Sequence, residues 1–372
     1  MDHIIFIKNI PLSLRSKQRN LTRNFSVKFS PNSGGKMKNA LRILFASLVM
    51  LMPGVVLAAS QMGTITMEFD LTKQPNNADT QLWIPYPLSD RDQSITKVNL
   101  TGDFAESAVY SDRKYSTPIL YMRWNKGAES RKAQFSFHVE RQEVIRRDFP
   151  TKEAAWDPKD FAMYLEATRL GPIDGEVKAL ADRITADKST VFAKARAIYD
   201  WICENMYRDP KTVGCGKGDV CLLLQAPGGK CTDIHSVFVS LCRAAGIPAR
   251  EVFGIRQGKE AMVDITEWQH CWAEFYLPGY DWVPVDPPDV RKMMLTQNLE
   301  LTSAKTKEYR AYFWGGWDQY RVKLAVGRDI ILNPPQTGQP LNTFGYPYAE
   351  IGTTVLDFYD PAKFSYTFTY HQ

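Results

Sequence analysis

The sequence predicts an α+β protein: an antiparallel β-sandwich over residues 61–148, then a domain over 149–372 in which a helix bearing a cysteine packs on an antiparallel sheet. Three observations predict this. Apolar and polar residues alternate from Ile65 to Leu71 and from Ala133 to Glu140, the pattern of half-buried strands. Apolar steps of three and four begin only beyond Asp148, where the composition shifts. Two strand-like runs, 268–277 and 282–285, then face each other across Pro278-Gly279, the pattern of a hairpin.

Residues 1–36 have no helical or strand period, and the expectation is a gene-model extension or unstructured leader, with Met37 as the start. Lys36-Met-Lys-Asn-Ala-Leu-Arg42 supplies a basic segment and Ile43 to Leu57 an apolar one. Val56-Leu-Ala-Ala-Ser60 offers small residues for cleavage near residues 58–60. Residues 37–60 therefore read as a signal peptide, and the expected location is periplasmic or secreted. The apolar run is too short for a membrane span. The first 60 residues hold nine Lys/Arg and one acid, leaving 37 basic against 40 acidic residues beyond. That balance gives no support for nucleic-acid binding.

In the sandwich, Gln81 to Pro85, Ile95 to Leu100, Pro118 to Trp124 and Ala133 to Glu140 follow the first strand, separated by Asp/Ser/Gly/Lys clusters. After a linker at 149–158, Gly175 to Ile184 and Thr190 to Tyr207 read as helices. The loop from Asp209 to Gly229 holds five glycines and two prolines. It leads into a third helix, where Cys231, Ile234, Phe238, Leu241 and Ala245 share a face, with Gly246 as the left-handed cap and Pro248 beyond. Cys231 thus stands in the first turn, where free N–H groups and the helix dipole favour a thiolate. In the hairpin, His270 faces the side of Trp272 and Tyr276, and Asp286 falls within a residue or two of it across the pair. A carboxylate fixing an imidazole that faces a thiol is the arrangement of a nucleophilic triad.

Gly229-Lys-Cys-Thr-Asp233, His270-Cys-Trp-Ala-Glu-Phe275 and Trp282-Val-Pro-Val-Asp286 occur in that order. They resemble the three signatures of the transglutaminase-like superfamily, and the likeness spans roughly residues 160–290, including Lys194-Ala-Arg-Ala-Ile-Tyr-Asp-Trp-Ile202. The resemblance implies a papain-like, transglutaminase-like α+β domain with Cys231 as nucleophile, His270 as base and Asp286 as the orienting acid. It implies an exported thiol enzyme acting on amide or peptide bonds of a peptide or protein substrate in the cell envelope, without a cofactor. Resolution of the thioester by water is the expectation, with transfer to an amine left open. The rival class is an inactive module that binds a protein or wall partner.

Further candidates rest on spacing alone. Gln225, six residues before Cys231, is a candidate oxyanion donor, and Trp272, Trp314 and Trp317 are candidates for a substrate groove. Cys215 and Cys221 bracket a short loop and are the expected disulfide, whereas Cys203 and Cys242 lie on helical core faces. His235 follows Cys231 by one helical turn, yet a zinc site with Cys231, His270, Cys271 and Asp286 is not expected, because His270 and Cys271 point to opposite faces of one strand. Asp233 reads as a structural cap. Residues 291–372 read as strands and turns extending the catalytic sheet, ending in Phe364, Tyr366, Phe368 and Tyr370 alternating with Ser and Thr.

Overall fold

The alternation along the N-terminal part becomes strands in a computed structural model that describes residues 59–372. The basic and apolar segments of the leader, and Met37, fall outside these residues. The strands are β1 (Ser60–Asp70), β2 (Thr80–Pro85), β3 (Gln93–Gly102), β4 (Glu106–Ser111), β5 (Pro118–Trp124), β6 (Lys132–Gln142) and the short β7 (Val144–Ile145). Helices Gly175–Thr185, Val191–Asn205 and Val220–Gln225 follow, with β8 (Tyr207–Arg208) and β9 (Gly228–Gly229) between and after the last two. The thiol helix is Cys231–Ala244. Beyond it come β10 (Ala249–Arg256), β11 (Met262–Asp264), β12 (Gln269–Leu277) and β13 (Asp281–Val285). Helices Pro287–Gln297 and Ala304–Tyr312 precede β14 (Gly316–Trp317), β15 (Arg321–Val326), β16 (Tyr348–Ile351), β17 (Thr354–Val355) and β18 (Tyr366–His371). No helix among the described residues is long and apolar enough to cross a membrane.

Two five-stranded sheets, ordered β11-β18-β1-β6-β3 and β17-β16-β2-β5-β4, enclose a core of Ile65, Met67, Leu82, Met122, Phe137 and Phe368. The C-terminal segment corrects the expectation for residues 291–372. Only β15 joins the sheet that carries His270, ordered β13-β12-β10-β15, while β16, β17 and β18 complete the sandwich. The cause lies in the pattern. Tyr366, Phe368 and Tyr370 are buried while Thr367 is exposed, so β18 has one apolar face, suited to a sheet packed on one side. It pairs with β1 in the register Ile65↔Tyr370 and Met67↔Phe368. β12, by contrast, is buried on both faces along nearly its whole length.

The thiol helix is covered by helices Gly175–Thr185 and Val191–Asn205 and lies on β12 and β10, so all its residues are buried, not one face alone. Its polar side chains find partners within the fold. Ser236 Oγ donates to the Thr232 carbonyl at 2.6 Å, and the Arg243 guanidinium donates to the carbonyls of Ala249 and Glu166. Gly246 takes the left-handed conformation expected of it (φ 77°), and Ile247 N–H returns to the Cys242 carbonyl at 2.8 Å. Ala273, Phe275 and Leu277 of β12 enter this core, which leaves Trp272 on the other face, as the alternation of the strand requires.

Candidate active site

Cys231 opens the thiol helix, 3 % exposed. Asp233 fixes that opening. Its carboxylate accepts from Lys230 N–H at 3.1 Å and from Gly218 N–H at 2.8 Å, which ties the preceding glycine-rich loop to the helix. A Cβ at Gly216 (φ 95°) or at Gly229 would run into the Asp233 side chain, so the loop closes this tightly only with glycine there. The structural reading of Asp233 matches this geometry.

β12 and β13 pair with Ala273 opposite Val285 and Phe275 opposite Val283, close to the expected register. His270 lies at the open end of that hairpin and Asp286 just past it, where Asp286 also caps the Pro287–Gln297 helix by accepting from Asp289 N–H at 3.0 Å. His270 Nε2 is 2.7 Å from Asp286 Oδ2, and both residues are buried. The imidazole's Nε2 being engaged, Nδ1 is the nitrogen left for exchange with Cys231.

Arg321, fully buried on β15, donates to Asp286 Oδ2 and at 2.6 Å to Asp289 Oδ2, and its Nη1 lies 3.1 Å from His270 Nε2. Arg256 joins the same cluster through Asp289 at 2.5 Å. Burial alone would raise the Asp286 carboxyl, but Arg321 and then His270 hold it well below the ordinary carboxylate range. Asp289 is likewise held at about 2, burial being outweighed chiefly by Arg256.

Two further thiols surround Cys231. Hydrogen bonding from Cys215, then from Cys271, then the His270 imidazole and its charge pull the Cys231 thiol well below its usual range against the opposing effect of burial. Cys215 has one proton to give, and the Gln269 carbonyl at 3.4 Å competes for it. Tyr346 Oη in turn donates to Cys215 Sγ at 3.1 Å. On the far side of the helix turn, His235 presents Nδ1 to Cys271 Sγ at 3.6 Å and Nε2 to Asp286 Oδ1 at 3.5 Å.

Two expectations are corrected. Cys215 and Cys221 are not bonded to each other: all six cysteines are free thiols. Cys215 turns inward to the Cys231 pocket, while Cys221 sits exposed on the Val220–Gln225 helix. Trp272, Trp314 and Trp317 line no groove. Trp314 stacks on Phe275 at 5.2 Å inside the helical core, and Trp272 packs against Trp317 at 5.1 Å, because each has an apolar neighbour to bury against. Gln225, the candidate oxyanion donor, ends its short helix exposed, whereas Cys231 is buried.

Sequence reasoning missed Arg321 and Asp289 altogether and the placing of Cys215 beside Cys231. Only Asp289 carried a local signal, three residues after Asp286 and therefore on the same helical face. Two clefts, of about 920 and 850 Å³, are lined by neither Cys231 nor His270. The second reaches Asp289, Arg256 and Asp318, at the outer edge of the charge cluster. Phe344 and Tyr346 instead share one buried cluster with Cys215 and Cys231, and Phe358 packs against it.

The sequence profile of the transglutaminase-like superfamily matches residues 178–287, an interval that contains Cys231, His270 and Asp286. An uncharacterized protein of Haemophilus influenzae is 35% identical over 330 residues, 82% of this chain and 89% of its own length. A protein-glutamine gamma-glutamyltransferase of Pseudomonas aeruginosa is 25% identical over 194 residues, 47% of this chain but 28% of its own length. Among solved structures, a proposed cysteine protease from Cytophaga hutchinsonii shares the fold, with a TM-score of 0.52 at 18% identity over 84% of this chain and 99% of that one.

Proposed function

The chain belongs to the transglutaminase-like superfamily, and from that premise we propose that it is an exported thiol hydrolase of amide or peptide bonds, working through Cys231, His270 and Asp286. The observation that carries the reading is the buried His270–Asp286 pair at 2.7 Å beside a thiol whose surroundings favour the thiolate. In the proposed reaction Cys231 Sγ attacks the carbonyl carbon and His270 Nδ1 holds the thiol proton. The proton passes to the leaving amine as the C–N bond breaks, giving a thioester. Water, deprotonated by His270, then cleaves the thioester and restores the thiol. Asp286 keeps Nε2 protonated throughout, and the Cys231 N–H at the helix start donates to the oxyanion. Export rests on the basic, apolar and small-residue pattern of residues 37–60, and the substrate expected there is a peptide or protein of the cell envelope.

Iodoacetamide at pH 6 tests this, since an ordinary thiol reacts slowly there. Wild type should lose one thiol rapidly and Cys231→Ala should not. His270→Ala should slow the reaction strongly, and Asp286→Asn should slow it less while the protein still folds. Equal rates in wild type and His270→Ala would sink the proposal. Incubating peptides with the enzyme and a labelled amine then separates the two outcomes of the thioester: new carboxyl ends without label mean hydrolysis, incorporated label means transamidation.

A further inference from the structure

Behind the start of the thiol helix three ligating side chains converge, and of these only Cys271 bears on the proposed reaction, through its hydrogen bonding to Cys231. Cys271 and Glu251 sit on one face of neighbouring strands, Phe253 being paired with Cys271 and Ala273 with Glu251. His235 of the thiol helix packs onto that same face. His235 and Glu251 are fully buried and Cys271 is 1 % exposed. One ligand atom from each lies within 4.8 Å of the other two.

We propose that Cys271 Sγ, His235 Nδ1 and the Glu251 carboxylate form a buried binding site for zinc or a divalent cation of the same thiophilic class. Sulfur and nitrogen sharing a tetrahedral zinc stand about 3.5 Å apart, given Zn–S and Zn–N bonds of about 2.3 and 2.0 Å. Cys271 Sγ and His235 Nδ1 stand 3.6 Å apart. The second ring nitrogen of a zinc-bound histidine commonly donates to a carboxylate, and His235 Nε2 faces Asp286 Oδ1 at 3.5 Å. Thr232 Oγ1, 3.5 Å from Cys271 Sγ, is placed to donate to a thiolate there.

The independent pointer to a cation is Glu251. Neither of its oxygens has a hydrogen-bond partner, although the residue is wholly buried. Its nearest positive group, Arg328 Nε, is 3.8 Å away and is spent on Asn342 Oδ1 at 2.9 Å, while Nη2 donates to the Gly218 carbonyl. A divalent ion would balance one thiolate and one carboxylate, both protons leaving to solvent. The objection to zinc drawn from the alternation of β12 does not apply, because this set omits His270. The other convergent set, His270, Asp286 and Asp289, already has the Arg321 guanidinium at its centre.

The test is metal content and a cobalt spectrum on the full chain, expressed in cobalt-supplemented medium so that the ion enters as the chain folds. Wild type should hold one equivalent of zinc, or of cobalt with the near-ultraviolet sulfur-to-cobalt band and the visible bands of a tetrahedral ion. Cys271→Ser should abolish the sulfur band and Cys231→Ala should keep it. Glu251→Gln, nearly identical in shape, should lower metal occupancy at least tenfold with an unchanged far-ultraviolet circular dichroism spectrum. Metal-free wild type under these conditions, or a sulfur band that disappears with Cys231 and survives without Cys271, overturns the site. Neither readout uses activity, so the site stands or falls apart from the hydrolase proposal.

Discussion

Asp286 is the residue on which most of the centre converges. One carboxylate oxygen meets His270 and Arg321, and the other meets His235 and the start of a helix. His270 and Asp286 were legible because each stands in a local pattern that a hairpin brings together. Arg321 was not, because nothing local distinguishes it: it reaches Asp286 only through the pairing of β15 with β10. Removing it leaves Asp286 buried without its main counter-charge and takes one of two guanidinium partners from Asp289. Arg321→Met should therefore cost about 3–5 kcal/mol in urea unfolding. Asp289 supplies a pH signature. Its carboxyl is held at about 2 in the fold against an ordinary 3.8, so its stabilisation is present above about pH 4 and drains as pH falls toward 2. Asp289→Asn should lose roughly 2 kcal/mol at pH 7 and show a flatter acid limb, read by unfolding curves at several pH values.

At the scale of elements, the thiol helix and its hairpin were read close to their observed limits, since period, cap and turn residues all agree there. The helices at 287–297 and 304–312 escaped because their apolar residues are few and partly exposed, Leu295 being 50 % exposed. β4 escaped as an edge strand with Val109 half in solvent. Gly246 offers a clean test of the helix end. Nothing lies within 4 Å of a Cβ there, so Gly246→Ala meets only the left-handed backbone and should cost about 1 kcal/mol. If the aromatic residues clustered with Cys231 form a cover over it, a different prediction follows. Tyr359 packs on Tyr346 at 5.1 Å and donates to the Gly216 carbonyl at 2.8 Å. Tyr359→Ala should loosen that cover and raise the alkylation rate of Cys231 several-fold with little change in its pH dependence. An unchanged rate would show that reagents reach the thiol by another route.

For the whole molecule, sheet membership does not follow the order of the chain. β18 lies between β11, from the catalytic stretch, and β1, from the sandwich, so it binds the two together. The sequence showed a half-buried aromatic strand there; it held no signal for which sheet would receive it, because alternation specifies a face and not a neighbour. Deleting residues 361–372 should accordingly remove the single cooperative calorimetric transition expected of the full chain, not merely shift it. A truncated chain that still melts as one unit would refute the bridging role.

The position of β18 also sets a clock. β1 is among the first strands to leave the ribosome or to cross a membrane, yet one of its two neighbours is made some 300 residues later. At synthesis rates of about 5–20 residues per second, the early strand waits on the order of tens of seconds beside an empty edge. For that interval the chain stays open at that edge, and Cys231 still lacks the aromatic residues of its buried cluster, Phe344, Tyr346 and Tyr348, which arrive in the same late stretch.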